Sequence, residues 1–203
     1  MAETFKDNVT INCKDHLVGR VCSVVAKELL NGNTVNLVCC EGLYLTGNYY
    51  RNKLIMLEKM NKRTATNPKD GPFHHRSPAA MVKRMIRGML PNKTGRGQRA
   101  FARLNVYDGC PPPFDRQQKF KIPAALKVTR SKPGRKVASL GYLCQELGWQ
   151  YAGVVAKLEA KREANGKIYW DNKQKAVAKK AAAEKAVASK TAAIDAELAS
   201  MGY

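Results

Sequence analysis

Residues 9–40 read VTINCKDHLVGRVCSVVAKELLNGNTVNLVCC. Three patterns follow one another in this stretch. Residues 9–13 are short and β-branched, which predicts a strand. Across 15–32, Leu17, Val21 and Val25 recur four apart, with Val18, Cys22 and Leu29 on the same arc. That spacing predicts an amphipathic helix, with Asp15 fitting as its N-cap and Gly32 as its stop. Residues 34–40 then read as a buried strand. Strand, helix and strand in about 30 residues make a βαβ unit, which implies a parallel pair joined by a right-handed crossover.

The signals on either side extend this core. Residues 47–63 predict a second helix, and RLNVY at 103–107 is again β-rich. The reading is an α/β core with helices on both sheet faces. No internal repeat is present. The 203 residues suffice for one domain with a real core plus extensions.

Charge is distributed very unevenly. The chain has 36 Lys and Arg against 16 Asp and Glu, a net charge of +20. Residues 1–60 have 7 basic and 6 acidic side chains, residues 61–136 have 19 and 3, and residues 137–203 have 10 and 7. The middle segment therefore carries +16 of the +20. A field of one sign confined to one segment points to a polyanionic partner. Nucleic acid is the natural one and an anionic membrane surface its competitor. No apolar run approaches the roughly 18 residues a membrane span needs. The opening MAETFKDN lacks a basic stretch followed by an apolar one, so a reducing, cytosolic setting is expected.

Within the middle segment, Lys62 and Arg63 follow the second helix. Pro78 suits the first turn of a helix. On the helical wheel, Met81, Val82, Met85, Ile86, Met89 and Leu90 share one half, while Lys83, Arg84 and Arg87 fall in a separate arc. Such a helix either presents its cations to a partner or simply solvates them. The following residues 92–104 add Lys93, Arg96, Arg99 and Arg103. Gly95 and Gly97 there allow close backbone approach, and a phosphate cradle of backbone N–H groups is one use of it. The Gly-x-Gly lacks the strand before it and the final glycine of a dinucleotide fingerprint. Residues 115–136 contribute Arg116, Lys119, Lys121, Lys127, Arg130, Lys132, Arg135 and Lys136, interrupted by Pro123 and Pro133. With so little apolar surface to bury, this segment is expected to be an extended arm that orders on a polyanion.

His74 and His75 are sequence neighbours, so they cannot share a helix face as metal ligands do. Asp70 is the only carboxylate between Glu58 and Asp108. A metal centre would need a distant third ligand, and general acid–base chemistry would need a tuned partner that is not visible. Contact with phosphate or base, together with Arg76, fits better. A nuclease would require clustered carboxylates, and the middle segment has only Asp70, Asp108 and Asp115. The six cysteines form no Cys-x-x-Cys pair. Cys22 on the helical face and Cys39 after a strand read as small core hydrophobes.

Several motifs together resemble one family. DHLVGRVCSVVAKELLNG is similar to the first helix of universal large-subunit ribosomal protein thirteen in its eukaryotic cytosolic form. CEGLYLTGNYYRNK resembles its turn after the second strand, and NPKDGPFHHRSP its Asn-Pro-x-x-Gly-Pro-x-His-x-Arg-x-Pro loop. RGMLPNKTGRGQRAFARLNVYDGCPPPFD is similar to the signature region, and LGYLCQELGWQY and LEAKREANGKIY to the C-terminal helices. The resemblance runs from about residue 9 to residue 170. It implies a three-layer α/β/α fold with a small, largely parallel sheet, a basic arm and a C-terminal helical extension. It implies a structural constituent of the large ribosomal subunit that binds ribosomal RNA beside neighbouring ribosomal proteins and supports subunit assembly and translation. No enzymatic activity, cofactor, metal, membrane or small-molecule substrate is implied. Residence on cytoplasmic ribosomes, with a nucleolar assembly stage, is expected.

Carried over by position, the resemblance puts Arg76, Lys83, Arg84, Arg87, Lys93, Arg96 and Arg99 against RNA. His74 matches the loop histidine and His75 the variable position beside it. The arm from Arg116 to Lys136 matches a region that threads along RNA. Tyr142 stands where the family pattern has Arg. The expected organisation is a core over 1–114, an arm over 115–136 and a helical extension over 137–203. At the end, residues 172–203 are rich in Ala and Lys, with high helix propensity. Val177, Val187, Ile194 and Leu198 form a thin stripe there, which either lies on RNA or a neighbouring protein or projects as a solvated helix.

Overall fold

The computed structural model describes residues 8–202. The first seven residues, read above for a leader, lie outside the described residues. Strand β1 (Asn8–Asn12), helix α1 (Val18–Asn31) and strand β2 (Thr34–Val38) form the expected unit, and β1 pairs with β2 in parallel. Strand β4 (Leu104–Val106) joins the other edge of β2, also in parallel, giving the order β1-β2-β4. The protein is therefore mixed α/β around a small parallel sheet.

Register decides the two faces of this sheet. Val9, Val35 and Leu104 lie side by side, as do Ile11, Leu37 and Val106. These residues share one hydrophobic core with Val21, Cys22, Val25 and Leu29 of α1. Residues between them face the other way, and there Thr10, Asn36 and Asn105 stand in one row. Asn36 donates to Asn8 Oδ1 at 2.7 Å and accepts from Asn105 Nδ2 at 2.9 Å. Polar groups on a covered sheet face are tolerated because they satisfy one another.

Helix α1 starts later than its apolar spacing suggests. Leu17, not Asp15, is the N-cap, and Asp15 sits in the left-handed region at φ 68°. The cause is tertiary: residues 15–17 are engaged elsewhere before the helix begins. Asp15 N–H donates to Gly42 O and Leu17 N–H to Ala125 O, while His16 O accepts from Tyr44 N–H. At the other end, Gly32 adopts φ 110° and closes the helix as expected.

Helix α2 (Tyr49–Asn61) is capped by Asn48, whose side chain accepts from Tyr50 N–H. Strand β3 (Tyr44–Thr46) pairs antiparallel with β5 (Val137–Ser139), a second small sheet that local pattern did not announce. Helix α3 (Pro78–Met89) has Ser77 at its N-cap, and α4 is Gly95–Ala102. Short helix α5 (Lys127–Arg130) lies in the arm, and α6 (Leu140–Glu146) follows β5. Leu140, Leu143, Cys144 and Leu147 are buried in the main core.

Contacts divide the described chain into a unit ending at Glu159 and another beginning at Ala160. Residues 115–159 belong to the first unit. Helix α7 runs over Ala152–Ser200. In the second unit Ile168, Tyr169, Trp170, Val177, Val187, Ile194 and Leu198 are all exposed, and Lys173 Nζ stands 6.0 Å from the Trp170 ring centre. No described helix is long and apolar enough to cross a membrane.

Candidate nucleic-acid interface

Helix α3 sorts its side chains as its amphipathic pattern requires. Met81, Val82 and Ile86 are buried, and Leu90 follows them into the core. Lys83, Arg84 and Arg87 are exposed. Met89 corrects the expected apolar half: at the helix end it is 45% exposed. Two acceptors hold the start of the helix. Ser77 Oγ accepts from Ala80 N–H at 3.3 Å, and Asp108 Oδ1 accepts from Ala79 N–H at 2.8 Å. Desolvation, with the nearby Glu41 charge adding to it, pushes the Asp108 carboxyl up to about 6 against the bond from Ala79.

A turn separates α3 from α4, and its geometry explains Gly97. A Cβ at Gly97 would overlap the Pro91 carbonyl oxygen. Thr94 Oγ1 donates to that same oxygen at 2.8 Å and accepts from Gly97 N–H at 3.3 Å. The close approach at Gly97 is thus to the protein's own backbone, not to a ligand. Gly95 has open space around it. The resulting turn throws Lys93, Arg96 and Arg99 outward, all exposed. A depression of about 550 Å³ at the end of α3 and the following turn is lined by Arg84, Arg87, Pro91, Asn92, Lys93 and Thr94. With its amide oxygen turned toward the guanidinium, Asn92 accepts from Arg87 Nη2 and Nε at 2.9 and 3.0 Å.

The loop before α3 is braced from both sides. Arg84 Nη1 donates to Phe73 O at 2.7 Å, and His74 Nε2 lies 2.8 Å from Lys62 O. His74 Nδ1 is buried without a hydrogen-bond partner. His74 thus ties the loop to the end of α2, while His75 and Arg76 are exposed. Lys62 and Arg63 are exposed as well, Lys62 lying 3.7 Å from Glu58. Two neighbours escaped the sequence reading. Phe73 is 76% exposed beside these cations, a face on which a base can stack. Lys59 on α2 has its pKa lowered by burial and then by the Arg84 charge, so it stands in the same positive field. Neither carried a signal, because Lys59 belongs to the near-neutral first segment and Phe73 to a loop without periodicity.

Arg103 donates from Nη2 to Leu29 O at 2.6 Å, where it satisfies a carbonyl at the C-terminal end of α1.

The arm is less extended than its composition suggests. Phe120 N–H donates to Thr10 O and Asn12 N–H to Phe120 O, so the chain runs beside β1. Ile122 and Ala125 are buried in the main core. Lys119 Nζ donates to the carbonyls of Phe114, Asp115 and Gln117 at 2.6–3.1 Å. Lys127 Nζ lies 4.9 Å from the Tyr44 ring centre, and Arg130 Nε donates to Ala124 O. Arg116, Lys121, Lys132, Arg135 and Lys136 are exposed. Tyr142 packs on Tyr49 with ring centroids 5.2 Å apart, the place its aromatic ring takes in this chain.

All six cysteines are buried thiols. Burial above all pushes the Cys22 and Cys144 thiols up to about 12, and Cys40 is raised first by its hydrogen bond with Cys13. Such thiols stay protonated and behave as small core side chains. Away from the basic surface, Cys39, Glu41 and Glu159 place one ligand atom each within 4.8 Å of one another. Their carboxylates fasten a turn: Glu41 accepts from Gly109 N–H at 2.8 Å and Glu159 from Cys110 N–H at 2.7 Å.

The protein is thus a small parallel α/β domain with the exposed cations of α3 and α4 on its surface. The family model for ribosomal protein L13 matches residues 6–113, and the chain belongs to that family. The family is one of structural proteins of the large ribosomal subunit, not of enzymes.

Proposed function

We propose that this chain binds large-subunit ribosomal RNA through the cations of α3, α4 and the arm, and thereby supports subunit assembly and translation. The observation that carries this reading is the outward arc of Lys83, Arg84, Arg87, Lys93, Arg96 and Arg99, all exposed and none paired with a carboxylate among the described residues. Arg63, His75, Arg76, Arg116, Lys121, Lys132, Arg135 and Lys136 extend the same field. Cations held on a packed helix keep their spacing, which favours phosphates in a fixed register over random counterions. The eukaryotic cytosolic form, with a nucleolar assembly stage, accords with the loop motif at 67–78.

Sucrose-gradient sedimentation of a lysate, with a high-salt wash, tests this. Co-migration with large subunits, whole ribosomes and polysomes that survives the wash is expected. Residence at the top of the gradient would defeat it. For the isolated chain, about 8–12 phosphate contacts predict a log–log salt slope of about −6 to −8 on single-stranded RNA. A flat response would remove the polyanion reading.

A further inference from the structure

His16 is fully buried, yet it is polar and far in sequence from every basic segment. Its Nε2 lies 3.0 Å from the Ile122 amide nitrogen, and its Nδ1 lies 2.8 Å from Lys14 O. A backbone amide can only donate, so Nε2 is the acceptor and carries no proton. Nδ1 faces a carbonyl and therefore holds the proton. Both ring nitrogens are committed, which fixes a neutral imidazole in one tautomer.

The bond to Ile122 closes a gap in a longer seam. Arm and core are joined at Phe120 by bonds with Thr10 and Asn12, and again where Leu17 N–H donates to Ala125 O and Lys127 N–H to Asp15 O. Between these points the backbone groups of Cys13 and His16 have partners in the core. Cys13 N–H donates to Val38 O and His16 O accepts from Tyr44 N–H. The buried Ile122 amide takes its acceptor from a side chain, His16 Nε2, just ahead of Pro123.

We infer that His16 is a positioning residue, a latch that holds the basic arm against the core before RNA arrives. The inference rests on the RNA-binding reading above. A latched arm presents Lys121 and Lys132 already ordered, so less chain entropy is lost on binding. His16 itself touches no RNA in this scheme.

Two variants of the full chain separate its two bonds. In His16→Asn the shorter amide still reaches Lys14 O but falls short of Ile122. In His16→Gln the longer side chain places an oxygen where Nε2 stood. Amide hydrogen exchange of the free protein is read at Ile122, Ala125 and Lys127, with Val35 and Tyr107 of the sheet as controls. His16→Asn is expected to speed exchange in the arm by about ten- to a hundredfold and leave the sheet amides unchanged. Its RNA affinity is expected to fall by about tenfold with an unaltered salt slope, since no cation is removed. His16→Gln is expected to recover both. Unchanged arm exchange in His16→Asn, arm and sheet amides accelerating together, or no recovery in His16→Gln would each overturn the latch. Fast arm exchange with wild-type RNA affinity would overturn its role in binding. Should the wild-type chain fail to bind RNA, the function proposed above falls, while the exchange data still judge the latch.

Discussion

The α3–α4 region and the arm are both strongly basic, yet they use their cations differently. On α3 and α4 the lysines and arginines stay exposed on packed helices and none meets a carboxylate among the described residues, even where Arg84 braces Phe73 O, Arg87 braces Asn92 and Lys83 lies over the Phe101 ring. In the arm Lys119, Lys127 and Arg130 turn back onto the protein's own carbonyls and a tyrosine ring. Charge counted along a sequence therefore measures the field but not the number of free cations. A helix with a packed apolar face has nowhere to put its polar side chains except outward. An irregular segment has unpaired carbonyls, and its own lysines are the nearest donors.

This contrast can be broken most forcefully on α3. Arg84→Glu with Arg87→Glu is expected to weaken RNA binding by about a hundredfold or more at moderate salt, with the circular dichroism spectrum kept. Loss of the spectrum would mean that the Arg84–Phe73 and Arg87–Asn92 bonds hold the fold rather than merely brace it. Next in size, Gly97→Ala forces a Cβ into the Pro91 carbonyl and is expected to cost about 2–3 kcal/mol of stability in denaturant unfolding. An unchanged midpoint would show that the turn yields easily.

A smaller effect concerns the carboxylate that holds α3. Asp108 has a folded pKa of about 6, above the ordinary carboxylate value, so the folded state binds the proton more tightly than the unfolded chain. Stability from this group is present at low pH and is lost as pH rises toward and through about 6. With its part-exposure screening the charge, the loss between pH 5 and 7 is at most about 2 kcal/mol. Asp108→Asn keeps an acceptor for Ala79 and is expected to flatten that part of the thermal-stability profile. A profile identical to wild type would assign the pH dependence elsewhere.

The smallest pair sharpens the contrast within the arm itself. Lys119→Ala is expected to cost about 1 kcal/mol of stability and to leave the salt slope alone. Lys121→Ala, two residues on, is expected to leave stability alone and reduce the slope by about 0.7 on single-stranded RNA. Equal behaviour of the two lysines would erase the distinction between self-bound and free cations.

Local pattern was enough for the parallel βαβ start, a helix within 47–63, an amphipathic helix opening at Pro78, and the concentration of charge in the middle segment. Each rests on a local regularity: apolar spacing of two or of nearly four, a proline at a first turn, a count of like charges. Those regularities constrain the chain within a few residues of themselves, so they survive without tertiary information. Only the tertiary structure decided the late start of α1, the β3–β5 pair, the packing of Ile122 and Ala125, and the use of Arg103 on α1. Each of these depends on partners tens of residues away. Asp15 has the chemistry of a cap, but it lost that role to backbone bonds with Gly42 and Lys127. Lys119 and Lys121 are the same residue in the same stretch, yet only one has three carbonyls around it. Which polar group finds a partner is set by the fold around it, because a hydrogen bond needs its two atoms within about 3 Å, and sequence distance says nothing of that.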